Sequence, residues 1–127
     1  MCATFSITVD VPLSLVRMTL TGFFSPADVA RFVEARDAAH RQLRSLPNQH
    51  VTLVDIRSMQ IQSQEAVQEF QLVMSSPATA SRRIAFVVSK SLARIQAQRA
   101  AVHRPANYFA NVEDAEEWLV AEEVAVN

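Results

Sequence analysis

Glycine and cysteine are nearly absent from this sequence, and each scarcity excludes a class of site. Glycine occurs once, at Gly22. Phosphate-binding loops need several glycines so that the backbone approaches the anion closely, which excludes a P-loop or a Rossmann fingerprint. Cysteine also occurs once, at Cys2. A single cysteine excludes an internal disulfide framework and a cysteine-based zinc site, and it favours a cytoplasmic location.

Long apolar runs and a large net charge are missing as well. No apolar stretch approaches the ~20 residues that span a bilayer, so we expect no transmembrane helix. The first residues lack the basic start and apolar middle of a signal peptide, and we expect none. The net charge of −1 favours neither nucleic acid nor a strongly acidic partner.

The chain does contain enough apolar residues for one hydrophobic core. It has 127 residues, of which 50% are hydrophobic, and this length favours a single domain over residues 1–127. Its charges are unevenly placed, since residues 70–112 carry no acid and residues 113–127 carry no base. We favour mutual neutralisation of these two segments over separate charged faces.

Hydrophobic periodicity predicts strands that alternate with helices after an initial hairpin. Alternation with a period of two predicts the hairpin strands, at residues 5–9 and 15–21. Continuous apolar runs and a short apolar segment predict three more strands, at 51–56, 84–88 and 107–109. Periods near 3.6 predict helices at 25–46, 63–75, 92–103 and 112–123. The order predicts an α/β fold with a four- or five-stranded mixed β-sheet, an N-terminal β-hairpin and about four α-helices.

Three segments, in this order, carry a resemblance to a known family. They are TLVDI in the central strand, RRIAFVVS in the next strand and NYFANVEDAEEWL at the end. Together they resemble the STAS/SpoIIAA-like domains over residues 5–120, and within them the branch grouped with the SEC14-like (CRAL-TRIO-type) lipid-binding fold. The resemblance implies a small cytoplasmic regulatory protein that is not an enzyme and needs no cofactor.

The same resemblance implies a phosphorylation site at the start of the helix that follows the central strand. Bacterial anti-sigma factor antagonists of this fold are phosphorylated there on a serine, which makes Ser63 the candidate. Counted from Asp55, the family serine falls near Gln64, and the family signature of Asp, two small hydroxyl residues and Gly is missing here. From the residues alone, we favour Ser63 as a helix N-cap, which is worth about 1 kcal/mol.

An acid and a base end the central strand. Asp55 and Arg57 lie two residues apart, so their side chains point to the same side of an extended chain. In open α/β sheets, ligands bind beyond the carboxyl ends of the strands. The pair is therefore either half of a polar site or, as we favour, a local ion pair that ties down the following loop.

The first long helix carries a charge in its apolar stripe. The helical period places Arg36 at the centre of this stripe and His40 one turn later on its flank. A charge on a buried face needs a partner or a route to water. Arg36 either extends past a short neighbour to solvent, which we favour, or lines a cavity with His40.

The remaining polar residues do not assemble into a recognisable catalytic or metal site. His40, His50 and His103 are not at ligand spacing with any carboxylate or cysteine, so we expect no metal. No set of nucleophile and base can be recognised from the spacing. Leu72 lies off the apolar face of its helix, which makes it a candidate partner contact.

Two hypotheses of function follow. The first is a non-enzymatic regulatory module that docks the helix beginning at Ser63 onto a protein partner or a second copy of itself. The alternative is a binder of a lipid or another small apolar ligand, held between the first helix and the sheet, with Arg36 and His40 at its polar head. A filled core with an exposed apolar patch on the second helix would favour the first, and an internal cavity of several hundred Å³ would favour the second.

Overall fold

The computed structural model describes residues 2–89, 91–100 and 106–121 of the chain. The described part begins with a β-hairpin in which β1, Thr4–Asp10, pairs antiparallel with β2, Leu15–Thr21. Phe5, Ile7 and Val9 pack against the core, while the Thr and Ser residues between them are exposed. Alternation with a period of two thus orients this edge of the sheet as the sequence predicts.

Three parallel strands complete a five-stranded mixed sheet of order β1-β2-β3-β4-β5 among the described residues. They are β3, Val51–Asp55, β4, Arg83–Val87, and β5, Ala106–Phe109. The core residues of β3 and β4 are buried on both faces of the sheet, as continuous apolar runs require. The predicted α/β architecture with its N-terminal hairpin is confirmed.

A helix follows each strand from β2 to β5. These helices are α1, Pro26–His40, α2, Gln64–Met74, α3, Ser91–Ala100, and α4, Val112–Val120. A short 3-10 turn, Pro77–Thr79, lies between α2 and β4. The expected ends of the third and fourth helices, at 103 and 123, lie outside the described residues.

The first helix ends earlier than its sequence predicts. We expected α1 to continue to about Leu46, but it ends at His40. The amides of Gln42 and Leu43 donate to carbonyls only three residues back, so the last turns tighten out of the α-helical form. The early end leaves enough chain to turn back to the start of β3, with Asn48 in the left-handed region (φ 66°).

The two faces of the sheet are covered unequally. Helix α4 covers one face, where Ala115 and Leu119 are fully buried against Leu53, Ala85 and Val87. The other face, which we call the α1/α2 face, packs against α1, α2 and Ala97 of α3. The α1/α2 face holds the larger core and the candidate site.

The single glycine is needed where three segments meet at the carboxyl edge of the sheet. Gly22 has φ +83°, a left-handed conformation that side chains disfavour, and a Cβ here would overlap the carbonyl group of Cys2. Its N–H donates to Ser58 O (3.2 Å), and its carbonyl accepts from the N–H of Gln60 (3.0 Å). Gly22 thereby joins the end of β2 to the loop that follows β3.

Candidate functional site

A cavity of about 130 Å³ lies between α1, α2 and the α1/α2 face of the sheet. Its walls are mainly apolar side chains from the strands and helices around it, among them Met18, Phe32, Val54, Phe70, Val73 and Phe86. The cavity is partly open to solvent, and its volume is comparable to that of the roughly 150 Å³ engineered cavity that binds benzene in another protein.

The incomplete seating of α2 explains the cavity. Ala66 is its one fully buried residue, whereas Val67, Phe70 and Val73 are only half-buried. Phe70 packs edge-to-face on Phe24 (ring centroids 5.6 Å) and Phe32 (6.1 Å). These aromatic contacts position α2 against α1, and the cavity lies beneath the helix.

Polar side chains gather at the amino end of the cavity, near the starts of β3 and β4. Arg36, His40, Thr52 and Ser81 line the cavity there, and the His50 ring lies against the His40 ring at 4.7 Å between centroids. Ser81 Oγ lies 3.2 Å from His50 Nε2 and 2.6 Å from Thr52 Oγ1. We call these five residues the amino-end cluster.

The two histidines of the amino-end cluster are neutral near pH 7. Burial, then the neighbouring His50 and Arg36, lower the pKa of His40 to about 4, against an opposing effect of Asp37. Burial first and Arg36 second lower the pKa of His50 below its usual value. Each additional positive charge would be unfavourable beside the Arg36 guanidinium. His40 Nε2 is buried and has no hydrogen-bond partner.

The carboxyl end of the cavity is lined by glutamine amides that are already engaged. The Gln62 amide donates to the carbonyls of Gly22 (2.9 Å) and Gln60, and it accepts from the N–H of Phe24 (2.7 Å). Gln96 forms two hydrogen bonds with the backbone of Gln62, both at 2.8 Å. The Gln62 side chain is buried with its partners in place, as a stable buried amide requires.

Comparisons with known proteins identify the fold. No family model matches the chain, and no curated protein matches it. Among solved structures, it is similar to an uncharacterised protein of the DUF3478 family with a SpoIIAA-like fold, from Shewanella loihica PV-4. The TM-score is 0.72 over 94% of this chain and 96% of the other, at 15% sequence identity.

The fold is SpoIIAA-like. The resemblance to the SpoIIAA-like domains is confirmed for the fold. The assignment to the SEC14-like branch stays a prediction. At this sequence identity the likeness concerns the fold alone, so the chemistry must be argued from the side chains of this chain.

Within the SpoIIAA-like fold, the two residues singled out on α1 both line the cavity. The Arg36 side chain is only 12% exposed, and its Nη2 donates to Asp37 Oδ1 at 3.1 Å. The Asp37 side chain is 47% exposed. The Arg36 guanidinium therefore has a partner near the surface and also lines the cavity. The sequence offered these two positions, towards solvent and towards a cavity, as alternatives.

Asp55 and Arg57 lie at the opposite edge of the sheet and do not join this site. Arg57 Nε and Nη2 donate to Asp55 Oδ1 (3.0 Å) and Oδ2 (2.8 Å) in a bidentate pair. Burial alone would raise the pKa of Asp55, but hydrogen bonds from Arg57 hold it below its usual value. Ser89 Oγ donates to the Arg57 carbonyl (3.1 Å), which ties the pair to the loop after β4.

Ser63 and Leu72 lie at opposite ends of α2. Ser63 is the N-cap, and its Oγ accepts from the N–H of Ala66 at 3.1 Å. Leu72 is 68% exposed, while the other exposed residues of α2 are Gln64, Glu65 and Gln68. The surface of α2 thus presents one leucine among polar side chains.

Sequence reasoning missed three members of the amino-end cluster: His50, Thr52 and Ser81. The histidines were set aside because their spacing fits no metal site, and His103 lies outside the described residues. In the described part of the chain, no group of three or more His, Cys, Asp or Glu side chains converges as metal ligands would. None of the helices seen there has the length and hydrophobicity needed to cross a bilayer.

Proposed function

We propose that this SpoIIAA-like domain is a non-enzymatic module that binds a small apolar molecule between α1, α2 and the sheet. The observation that carries the proposal is the cavity of about 130 Å³ with mainly apolar walls. Ligand sites are typically apolar enclosures with a few polar groups that orient the ligand. The half-buried side chains of α2 let occupancy alter the seating of this helix, which is a route to regulation.

The size of the cavity limits the ligand. Sites for drug-sized molecules occupy about 300–1,000 Å³, so a long-chain lipid needs more space than the 130 Å³ found here. A molecule with an apolar body the size of benzene fits. The lipid hypothesis therefore narrows to a short or single-ring compound.

The electrostatics of the amino-end cluster argue for binding rather than catalysis. Ser81 Oγ and His50 Nε2 are 3.2 Å apart, a distance that also suits a nucleophile and its base. A neutral histidine that acts as a general base becomes positively charged during the reaction. Burial first and Arg36 second lower the pKa of His50, which makes that charged form less favourable. Ser81 also bonds to Thr52, which holds its hydroxyl in place.

Xenon and benzene are suitable probes of the cavity. We expect both to bind the wild-type protein, seen as a ¹²⁹Xe NMR shift and as benzene-induced chemical-shift changes in residues around the cavity. Val73→Phe should abolish both signals, because the larger side chain occupies the space. Leu72→Phe, on the exposed side of the same helix, should leave them intact. Absence of binding to the wild-type protein would refute the proposal.

A second candidate function, docking of α2 onto a partner or a second copy, is favoured by the exposure of Leu72. If Leu72 forms such a contact between copies, sedimentation equilibrium should show a dimer that Leu72→Ser dissociates. Gln68→Ser, one turn away, is the matched control. A monomer at all concentrations would exclude self-association through this surface.

Ser63 remains a proposed phosphorylation site on this helix. Its hydroxyl already accepts an amide hydrogen bond, and the nearby Glu65 would repel a phosphate. A kinase that modifies the wild-type protein but not Ser63→Ala would support the assignment. Asp55 and Arg57 are proposed as partner contacts at the other edge, and Asp55→Asn with Arg57→Gln tests them by the same sedimentation measurement.

A further inference from the structure

The two ends of the cavity differ in how many polar groups they leave unsatisfied. At the carboxyl end, the Gln62 amide is bonded to Gly22, Gln60 and Phe24. At the amino end, His40 Nε2 is buried without a partner. A buried polar atom without a partner is unfavourable, and a ligand that supplies one gains binding energy. A polar head group therefore belongs at the amino end.

The charges at the amino end decide the sign of this head group. The Arg36 guanidinium lines the cavity and uses Nε and Nη2 for its contact with Asp37. A guanidinium has five N–H donors, so donors remain for a second anion. The acid next to it, Asp37, has its side chain 47% exposed to water, which weakens its hold on Arg36 through solvent screening.

The groups next to Arg36 also offer hydrogen-bond donors to an anion. In the tautomer that carries its proton on Nε2, His40 donates to an anion, and the Thr52 and Ser81 hydroxyls also line this end. Planar donors such as guanidinium match the two oxygens of a carboxylate. A cationic head group would instead lie close to the positive charge of Arg36. No carboxylate is among the described residues that line the cavity, so nothing there would balance the second charge.

We infer that the ligand is a small monocarboxylate with a benzene-sized apolar body, its carboxylate held at the amino-end cluster by Arg36 and His40. This inference rests on the proposed function, since it assigns the head group of a molecule that occupies the same cavity. The apolar body would lie toward Val73 and Phe70, beneath α2.

Three single-ring probes that differ in charge test the head group: benzoate, benzyl alcohol and benzylamine. We expect the wild-type protein to bind benzoate about tenfold more tightly than benzyl alcohol, because a charge-assisted hydrogen bond is worth at least that factor. Benzylamine should bind most weakly. Isothermal titration calorimetry at pH 7 measures the three affinities.

Variants of Arg36 locate the head group. Arg36→Gln should reduce the preference for benzoate to about twofold or less while benzyl alcohol still binds, which also shows that the variant is folded. Arg36→Lys keeps the positive charge and should retain part of the preference. Arg41→Gln removes an exposed charge at the C-cap of α1, directly after His40, and should leave the preference unchanged.

The outcomes separate this inference from the proposed function. If benzene and benzyl alcohol bind but benzoate is not preferred, or if Arg36→Gln keeps the preference, the carboxylate assignment is overturned and the cavity remains a binding site. If xenon, benzene and all three probes fail to bind the wild-type protein, the proposed function and this inference fall together.

Discussion

The two faces of the sheet show how one small domain separates stability from binding. On the α4 face, Ala115, Leu119, Ala85 and Val87 all have 0% exposure and pack directly against one another. On the α1/α2 face, about 130 Å³ stays unfilled beneath half-buried side chains of α2. Close packing maximises dispersion contacts, whereas a cavity forgoes them along its walls. The α4 face thus contributes more stability for its size, and the α1/α2 face keeps space for a ligand.

The largest expected effect comes from deleting a leucine of the packed face. Leu119→Ala should lower the free energy of unfolding by about 2–5 kcal/mol, because the close-packed surroundings collapse only partly into the space left. Urea unfolding measures the loss. The matched control is Leu72→Ala on α2, where the side chain is 68% exposed and the expected change is within about 0.5 kcal/mol. A similar loss in the free energy of unfolding for the two variants would contradict the close packing inferred for the α4 face.

Acid should weaken the cavity side, where the buried histidines lie. His40 has a pKa of about 4 in the folded protein and about 6.5 when unfolded. Between these values the unfolded chain binds more protons, so stability falls as the pH falls from about 6.5 towards 4. The lowered pKa of His40 accounts for about 2 kcal/mol of this loss in the free energy of unfolding, after allowance for the partial burial of the side chain.

Replacement of this histidine isolates its share of the pH dependence. His40→Phe keeps an aromatic ring in place and removes the titrating group, so its stability should vary less with pH between 6.5 and 4.5 than that of the wild-type protein. Thermal unfolding at a series of pH values provides the comparison. Identical pH profiles for both proteins would show that His40 is not held neutral by its surroundings.

The smallest effect sharpens the contrast between a filled and an unfilled face. Ala115→Val adds two methyl groups where Ala115 has 0% exposure, and overpacking should lower stability by about 1 kcal/mol or more. Ala97→Val places the same groups at the cavity wall, where the change should be near zero or stabilising. Both substitutions carry the same helical penalty of a β-branched residue, so the difference reports packing. Equal losses would mean that the cavity wall is as tightly packed as the α4 face.

Periodicity in the sequence predicted the order of the strands and helices because burial is decided locally by which positions share a face. The hairpin of β1 and β2 and the N-cap Ser63 lie where apolar spacing and cap chemistry place them. The end of α1 was mispredicted, since apolar spacing continues to Leu43 while the chain must turn back towards β3.

The amino-end cluster could be predicted only in part. Arg36 and His40 were recognisable because they share one side of a helix, four residues apart. His50 and Ser81 come from different loops, and parallel pairing of Val51 with Arg83 brings them together. A contact between residues that are 31 positions apart depends on strand register, which local spacing does not contain.

By itself, the sequence determined the α/β order of strands and helices, excluded glycine-rich phosphate loops and an internal disulfide framework, and placed a charge in the apolar stripe of α1. Its local patterns suffice for this, because helix and strand periods and turn chemistry act over a few residues. Only the tertiary structure decided that Arg36 borders a cavity and that His40 meets His50. Both facts depend on how far α2 is seated and how the strands pair, and those are set by packing between distant segments.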